Sequence, residues 1–307
     1  MRVGEIMEKM MIDIDKDPAF DLKNYVCREE RIEEIRRLNE NAEIYLCTNF
    51  LASSDDFQNA KICKERFDFL FRTFPFIPPK RFAFTKAKNL FKRELNPEIY
   101  RDERTKKVLL LDIDEVFWFS NFLRLINEFL HTDYKHDDFT DYYIDEVAIP
   151  KERFSEFKDF QSTRSLFDDA ELIPGSLEAL RRLDEYFDIY PYTDSIDPLD
   201  VAASGKNFED KFLNLRKLLP FIPPERYVFT GSKQLLDGDV QVDDRLKNLD
   251  PDIPIRILFP SYHNKDTSPE VLKEENVQRA GYDYRTGWNE VMHILESMEE
   301  IPVEKRI

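Results

Sequence analysis

The chain has 307 residues, 42% hydrophobic and 35% charged, enough for one large packed domain or two modest ones and too apolar for disorder throughout. A formal net charge of −17 excludes a broad basic face for a nucleic acid polymer or an anionic membrane. Lys and Arg nearly balance Asp and Glu up to residue 105, so the acidity lies in the remainder, which would repel an anionic substrate without a cation or local basic groups. Three cysteines, Cys27, Cys47 and Cys63, have no CxxC spacing; they exclude a disulfide framework or zinc site and fit a reducing cytoplasm. No apolar run is long enough to span a membrane, and the first residues do not read as a signal peptide.

In chain order, Met10-Met11-Ile12 leads into Asp13-Ile14-Asp15. The next segment reads helix, strand, long helix, strand, and it returns later in the chain. FPFIPPKRFAFT from Phe74 recurs as LPFIPPERYVFT from Leu219, an offset of 219 − 74 = 145. The same offset aligns Glu43–Thr48 with Asp188–Thr193 and Ile32–Leu38 with Leu177–Leu183, without a gap from about residue 28 to about residue 92. Between the copies, Val108–Leu111 is a continuous apolar run suited to a central buried strand, and it ends at Asp112-Ile113-Asp114. In the second copy Leu177, Leu180 and Leu183 give a helical face. Asp188–Tyr192 is then a strand ending at Thr193, and Phe208 to Leu219 a helix stopped by prolines. Tyr227-Val228-Phe229, Val240–Val242 and Ile255–Phe259 are further strands, and Trp288–Met298 is a closing helix. Alternating strands and helices predict an α/β fold, a parallel sheet with helices on both faces.

Ligands of such sheets bind at the carboxyl ends of the strands. Those ends carry Asp112 and Asp114, Thr193, Lys233, and Asp243-Asp244. One carboxylate can attack phosphorus, and a second can protonate the leaving oxygen and then activate water. Further carboxylates suit Mg²⁺, which takes oxygen ligands. A lysine and a hydroxyl can hold the phosphate oxygens.

The stretches LLLDIDEV, ELIPGSLEALRRL, YPYTDS, FTGSKQLL, VQVDDR, ILFPSYHN and GWNEVMHIL resemble, in the same order, the haloacid dehalogenase-like (HAD) superfamily, and within it the 5'(3')-deoxyribonucleotidase family. The resemblance covers most of the last two hundred residues. It implies a HAD-like Rossmannoid sheet over residues 106–307 with a helical cap inserted at about 116–172. It implies Asp112 as nucleophile and Asp114 as acid/base. Asp112, the Asp114 carbonyl, Asp243 and Asp244 would hold Mg²⁺. Thr193, with Asp194 beside it, and Lys233 would bind phosphate. Trp118, Asn121, Gln161 and Arg164 are candidate cap contacts with substrate. The expected substrate is a small phosphorylated metabolite, a nucleoside monophosphate above all, with neither nucleic acid polymer nor membrane as partner. Glu115 stands where the family has Gly, and Asp194 where it has a small hydroxyl residue; Phe117-Trp118-Phe119-Ser120 fits its aromatic pattern loosely.

Residues 1–105 read as a degenerate, capless copy of the same core. Thr48 and Lys88 align with Thr193 and Lys233, since 48 + 145 = 193 and 88 + 145 = 233, and Asp102-Glu103-Arg104 would echo Asp243-Asp244-Arg245. Asp13 and Asp15 are read there as structural remnants. His131, His136, His263 and His293 show no metal spacing and are expected at surface or core positions. The two copies are expected to pack as an intramolecular pseudo-dimer. The alternatives are a non-catalytic protein that binds a nucleotide or a partner, and a HAD phosphatase for another small phosphomonoester.

Overall fold

The computed structural model of the protein describes residues 7–95, 105–197 and 200–302. The echo expected at Asp102-Glu103-Arg104 lies outside them. In chain order the elements begin with strand β1 (Glu8–Asp13), the short hairpin β2 (Phe20–Asp21) and β3 (Val26–Cys27), helix α1 (Glu29–Asn39), β4 (Ala42–Thr48), α2 (Asp56–Thr73) and β5 (Phe82–Phe84). Next come β6 (Lys107–Leu111), β7 (Trp118–Phe119), α3 (Phe122–Leu130), α4 (Ile144–Ala148), α5 (Phe154–Ser162) and β8 (Glu171–Leu172). Then follow α6 (Ser176–Leu183), β9 (Phe187–Thr193), α7 (Ser204–Leu218) and β10 (Val228–Thr230). The chain closes with β11 (Val240–Asp243), β12 (Ile255–Leu258), α8 (Pro269–Glu274), β13 (Gln278–Arg279) and α9 (Tyr284–Ser297). Among the described residues no helix is long and apolar enough to cross a membrane.

The residues group into two compact units, and these do not follow the linear division at residue 105. One unit joins Met1–Glu103 to Thr193–Lys217 and Pro223–Asp237; the other holds Arg104–Tyr192, Leu218–Ile222 and Gly238–Ile307. The second unit is a parallel sheet. Its strand β6 pairs with β9 on one side and β11 on the other, β11 with β12, and β12 with β13, all parallel. The apolar run Val108–Leu111 is fully buried, as a strand flanked on both sides requires. Asp112 N–H donates to Val242 O at 2.9 Å, which carries the ladder one residue past the end of β6. Strands β7 and β8 pair antiparallel, Trp118 with Leu172 and Phe119 with Glu171, and so close the stem of the inserted helices α3, α4 and α5. Helix α9 starts on Asp283, whose carboxylate accepts Arg285 N–H at 3.0 Å, and it sends the buried Trp288 Nε1 to Val116 O at 2.8 Å.

In the first unit β4 lies between β1 and β5, parallel to both, and β5 pairs antiparallel with β10. The elements recur at the sequence offset: β4 and β9 start at Ala42 and Phe187 and both end in Thr, and the 3₁₀ turns Pro79–Arg81 and Lys88–Leu90 return as Pro224–Arg226 and Lys233–Leu235. In the antiparallel pair Phe84 faces Phe229, its own counterpart, since 84 + 145 = 229. The bridge between Phe91 and Leu236 repeats this, since 91 + 145 = 236. Lys92 N–H donates to Leu235 O at 2.9 Å and Asp237 N–H to Leu90 O at 2.7 Å, two bonds related by the same offset. Beneath the strands Phe208 lies 5.1 Å from Phe67 and 5.2 Å from Phe84, ring centre to ring centre, and Phe212 lies 5.1 Å from Phe50.

Candidate active site

In the second unit three strand-end carboxylates converge. Asp112 follows β6, and Asp243 and Asp244 stand at the end of β11; all three are buried. Their carboxylate oxygens lie within 4.8 Å of one another. Three carboxylates with one oxygen each inside that distance are a group that could hold a metal ion. Three buried carboxylates with no cation among them would repel one another, a second reason for a positive charge at this place.

Neighbouring groups hold each acid in position. Asp243 Oδ1 accepts Arg245 N–H at 2.8 Å and Asn248 Nδ2 at 3.0 Å, and its Oδ2 accepts the Tyr192 hydroxyl at 2.8 Å. Gln241 Nε2, donating to the same Tyr192 oxygen at 2.9 Å, fixes that hydroxyl's direction. Burial, with Asp243 and Asp112 close by, pushes the Tyr192 phenol well above its usual range, so it stays a donor. Past β6 the chain turns tightly: Phe117 N–H donates to Ile113 O at 2.9 Å and Glu115 N–H to Trp118 O at 2.7 Å. The turn brings Trp118 Nε1 to 3.0 Å from Asp114 Oδ1.

Glu115 adopts a left-handed backbone, φ 62°, where a glycine would be unstrained. Its carboxylate accepts the Ser261 hydroxyl at 2.8 Å and the Tyr262 hydroxyl at 2.9 Å, and His263 Nε2 lies 3.1 Å away. The same nitrogen is 2.6 Å from Asp244 Oδ2. Sequence spacing had marked His263 as a bland surface or core position; instead it stands between two carboxylates, and Glu115, Asp244 and His263 form a second group with metal-ligand spacing. Burial works against the imidazolium, but Asp244 and Glu115 outweigh it and push His263 up to about 10. Burial, then crowding by Glu115 and Asp243, pushes Asp244 up to about 7 against the pull of His263. Glu115 is half-buried, and desolvation works against its charge, yet His263, Ser261 and Tyr262 hold it below the usual carboxylate range.

The cap reaches this place through Tyr142, which sequence reasoning missed. The Arg245 guanidinium lies 3.7 Å over its ring, and the His263 ring is 5.1 Å away. Of the cap residues read from sequence, Trp118 is fully buried, meets Asp114 and stacks on Phe167 at 5.9 Å. Asn121 donates to the carbonyls of Ser165, at 3.4 Å, and Asp168. Arg164 donates to Phe160 O at 2.6 Å and lies over the Phe160 ring. Gln161 is buried in α5. Asn121 and Arg164 thus bond within the cap.

Thr193, Asp194 and Lys233 belong to the first unit. Thr193 is buried at the end of β9, and its hydroxyl accepts Lys211 Nζ at 3.0 Å. Lys211 also donates to Asp194 O at 2.6 Å; it is a second cation at the motif threonine that sequence reasoning missed. The offset could have found it, because 66 + 145 = 211 aligns it with Arg66, another cation. Asp194 Oδ1 accepts Ile196 N–H at 3.0 Å. Lys233 is buried on its 3₁₀ turn just after β10.

Residues 106–280, more than half of the chain, match the family of cytosolic type C 5'-nucleotidases, deoxy (pyrimidine). The chain belongs to this family. A 5'(3')-deoxyribonucleotidase of Bacillus subtilis (strain 168) is 25% identical over 178 residues, 57% of this chain and 98% of the relative. A Staphylococcus epidermidis protein that carries the same enzyme name provisionally is 29% identical over 134 residues, 44% of this chain. A Staphylococcus aureus protein so named is 31% identical over 93 residues, 30% of this chain. The chain spans 65% and 48% of the length of these two staphylococcal relatives. A crystal structure of a haloacid dehalogenase-like hydrolase from Burkholderia xenovorans LB400 overlaps 61% of this chain and 97% of its own, with 15% identity and a TM-score of 0.36, and adds nothing to the family assignment.

Proposed function

We propose that this nucleotidase-family chain is a Mg²⁺-dependent phosphohydrolase that cleaves (deoxy)nucleoside monophosphates. The observation that carries the reading is the group Asp112, Asp243 and Asp244 at adjacent strand ends, inside the segment that matches the family. Asp112 is the nucleophile: its carboxylate attacks phosphorus to form an aspartyl-phosphate as the ester oxygen departs. Asp114 gives that oxygen its proton, then takes one from the water that releases phosphate from Asp112. The Trp118 indole fixes the direction of the Asp114 carboxylate for both transfers. Asp112, Asp243, Asp244 and the Asp114 carbonyl would hold Mg²⁺, which would supply positive charge to the phosphoryl oxygens. Thr193 and Lys233 bind the phosphate, with Lys211 orienting the threonine hydroxyl. A cytoplasmic setting belongs to this reading and agrees with three buried free thiols.

The duplicated half is read as a degenerate copy that forms a pseudo-dimer with the catalytic one. Support comes from the offset of 145 and from Phe84 facing its counterpart Phe229. A second reading, binding without turnover, is favoured by His263, which engages the Asp244 oxygen a cation would need. Phosphate release from a panel of 5'- and 3'-nucleoside monophosphates and other phosphomonoesters, with Mg²⁺ and with chelator, separates the readings. Hydrolysis of nucleotides that stops with chelator is expected. Mg²⁺-dependent nucleotide binding with no release of phosphate would favour the second reading.

A further inference from the structure

The N-terminal half contains an anion cradle that its own chain fills. Four donors converge on the carboxylate of Asp15. Oδ1 accepts the Thr48 hydroxyl at 2.9 Å and Arg66 Nη1 at 2.8 Å. Oδ2 accepts Asn49 N–H at 2.6 Å and Lys88 Nζ at 2.5 Å. Thr48 and Lys88 are the counterparts, at the offset of 145, of Thr193 and Lys233, and Arg66 is the counterpart of Lys211. Local details match as well. The Thr48 hydroxyl also donates to Asn49 O at 3.3 Å, as the Thr193 hydroxyl does to Asp194 O at 3.2 Å. Arg66 meets the Thr48 hydroxyl as Lys211 meets that of Thr193.

A threonine hydroxyl, a backbone N–H, a lysine and an arginine around one point are the donor set of a tetrahedral oxyanion. In charge, Asp13 and Asp15 balance Arg66 and Lys88, so the cluster is neutral as it stands and carries one net positive charge without Asp15. The Arg66 Nε, buried and without an acceptor among the described residues, is a donor that a two-oxygen carboxylate leaves unused and a four-oxygen anion can reach. The cradle is open enough to exchange its occupant, because the Asp15 side chain is 22% exposed.

We propose that Asp15 is the resident anion of a preformed phosphate cradle made by Thr48, the Asn49 N–H, Arg66 and Lys88. The N-terminal copy is silent toward phosphate because its own carboxylate occupies the phosphate position. The proposal rests on the correspondence of the two halves, not on hydrolysis at Asp112.

The test is calorimetric titration of the full chain with inorganic phosphate, in chelator, for wild type, Asp15→Ala and Asp15→Ala/Lys88→Met. Asp15→Ala is expected to bind one more phosphate per chain than wild type, in the millimolar range, and the double variant to lose that gain. If Asp15→Ala folds poorly, phosphate is expected to raise its unfolding temperature well above the effect of chloride at equal ionic strength. A folded Asp15→Ala that binds no more phosphate than wild type overturns the proposal. So does a gain that survives Lys88→Met, or an unfolded Asp15→Ala that phosphate does not rescue. Absence of phosphate release by wild type would instead count against the C-terminal hydrolase and leave this titration unaffected.

Discussion

A single residue, Glu115, departs most from its family's pattern, and its surroundings show why the departure holds. A non-glycine residue in the left-handed region costs on the order of 1 kcal/mol. Three donors from one loop, Ser261, Tyr262 and His263, converge on its carboxylate and offset that cost. Glu115→Gly removes the strain but takes the acceptor from the Ser261 hydroxyl, leaves the Tyr262 hydroxyl only Tyr142 O at 3.4 Å and leaves His263 with Asp244 alone, so a net loss of about 1–3 kcal/mol is expected in denaturant unfolding. Equal or greater stability would show that the carboxylate contributes nothing. After Asp244, the same residue raises the pKa of His263. Its folded pKa of about 10 lies above the ordinary 6.5, so the imidazolium contributes stability below pH 6.5 that is lost as pH rises through about 10. In metal-free protein, NMR should find His263 protonated at pH 8, and neutral at a lower pH in Glu115→Gly than in wild type. A wild-type imidazole already neutral at pH 8 would contradict this assignment.

At the scale of elements, the strand ends were legible because buried runs such as Val108–Leu111 announce themselves by composition, and the acids follow directly. The repeat was legible as a bare offset, and the elements recur at it. What the sequence concealed was contact between distant segments. Nothing in the spacing of Glu115 and His263 marks them as neighbours, since the chain between them builds the cap and several strands. Trp118 is a candidate cap contact by sequence, and the letters do not show that its indole N–H donates to Asp114, four residues back. Phenylalanines of α2 and α7 and of strands β5 and β10 meet in one cluster. Phe208, 2% exposed and against Phe67, Phe84 and Phe229, is its central member. Phe208→Ala should cost about 3–5 kcal/mol in chemical denaturation. A loss under about 1 kcal/mol would mean that this cluster does not hold α7 to the strands it covers.

For the whole molecule, the linear halves and the compact units differ for a physical reason. Thr193–Lys217 and Pro223–Asp237 group with the N-terminal strands because β10 pairs with β5 and α7 packs Phe208 against Phe67 of α2. A division by sequence order cannot show such a grouping. The central claim concerns one carboxylate at the end of β6. It is tested most directly by the kcat/KM for phosphate release from a deoxyribonucleoside monophosphate with Mg²⁺, wild type against Asp112→Asn. The amide keeps the shape of the side chain and removes the nucleophile, so a fall of about a thousandfold or more is predicted. Equal rates in the two proteins, or no release by wild type, would contradict the account.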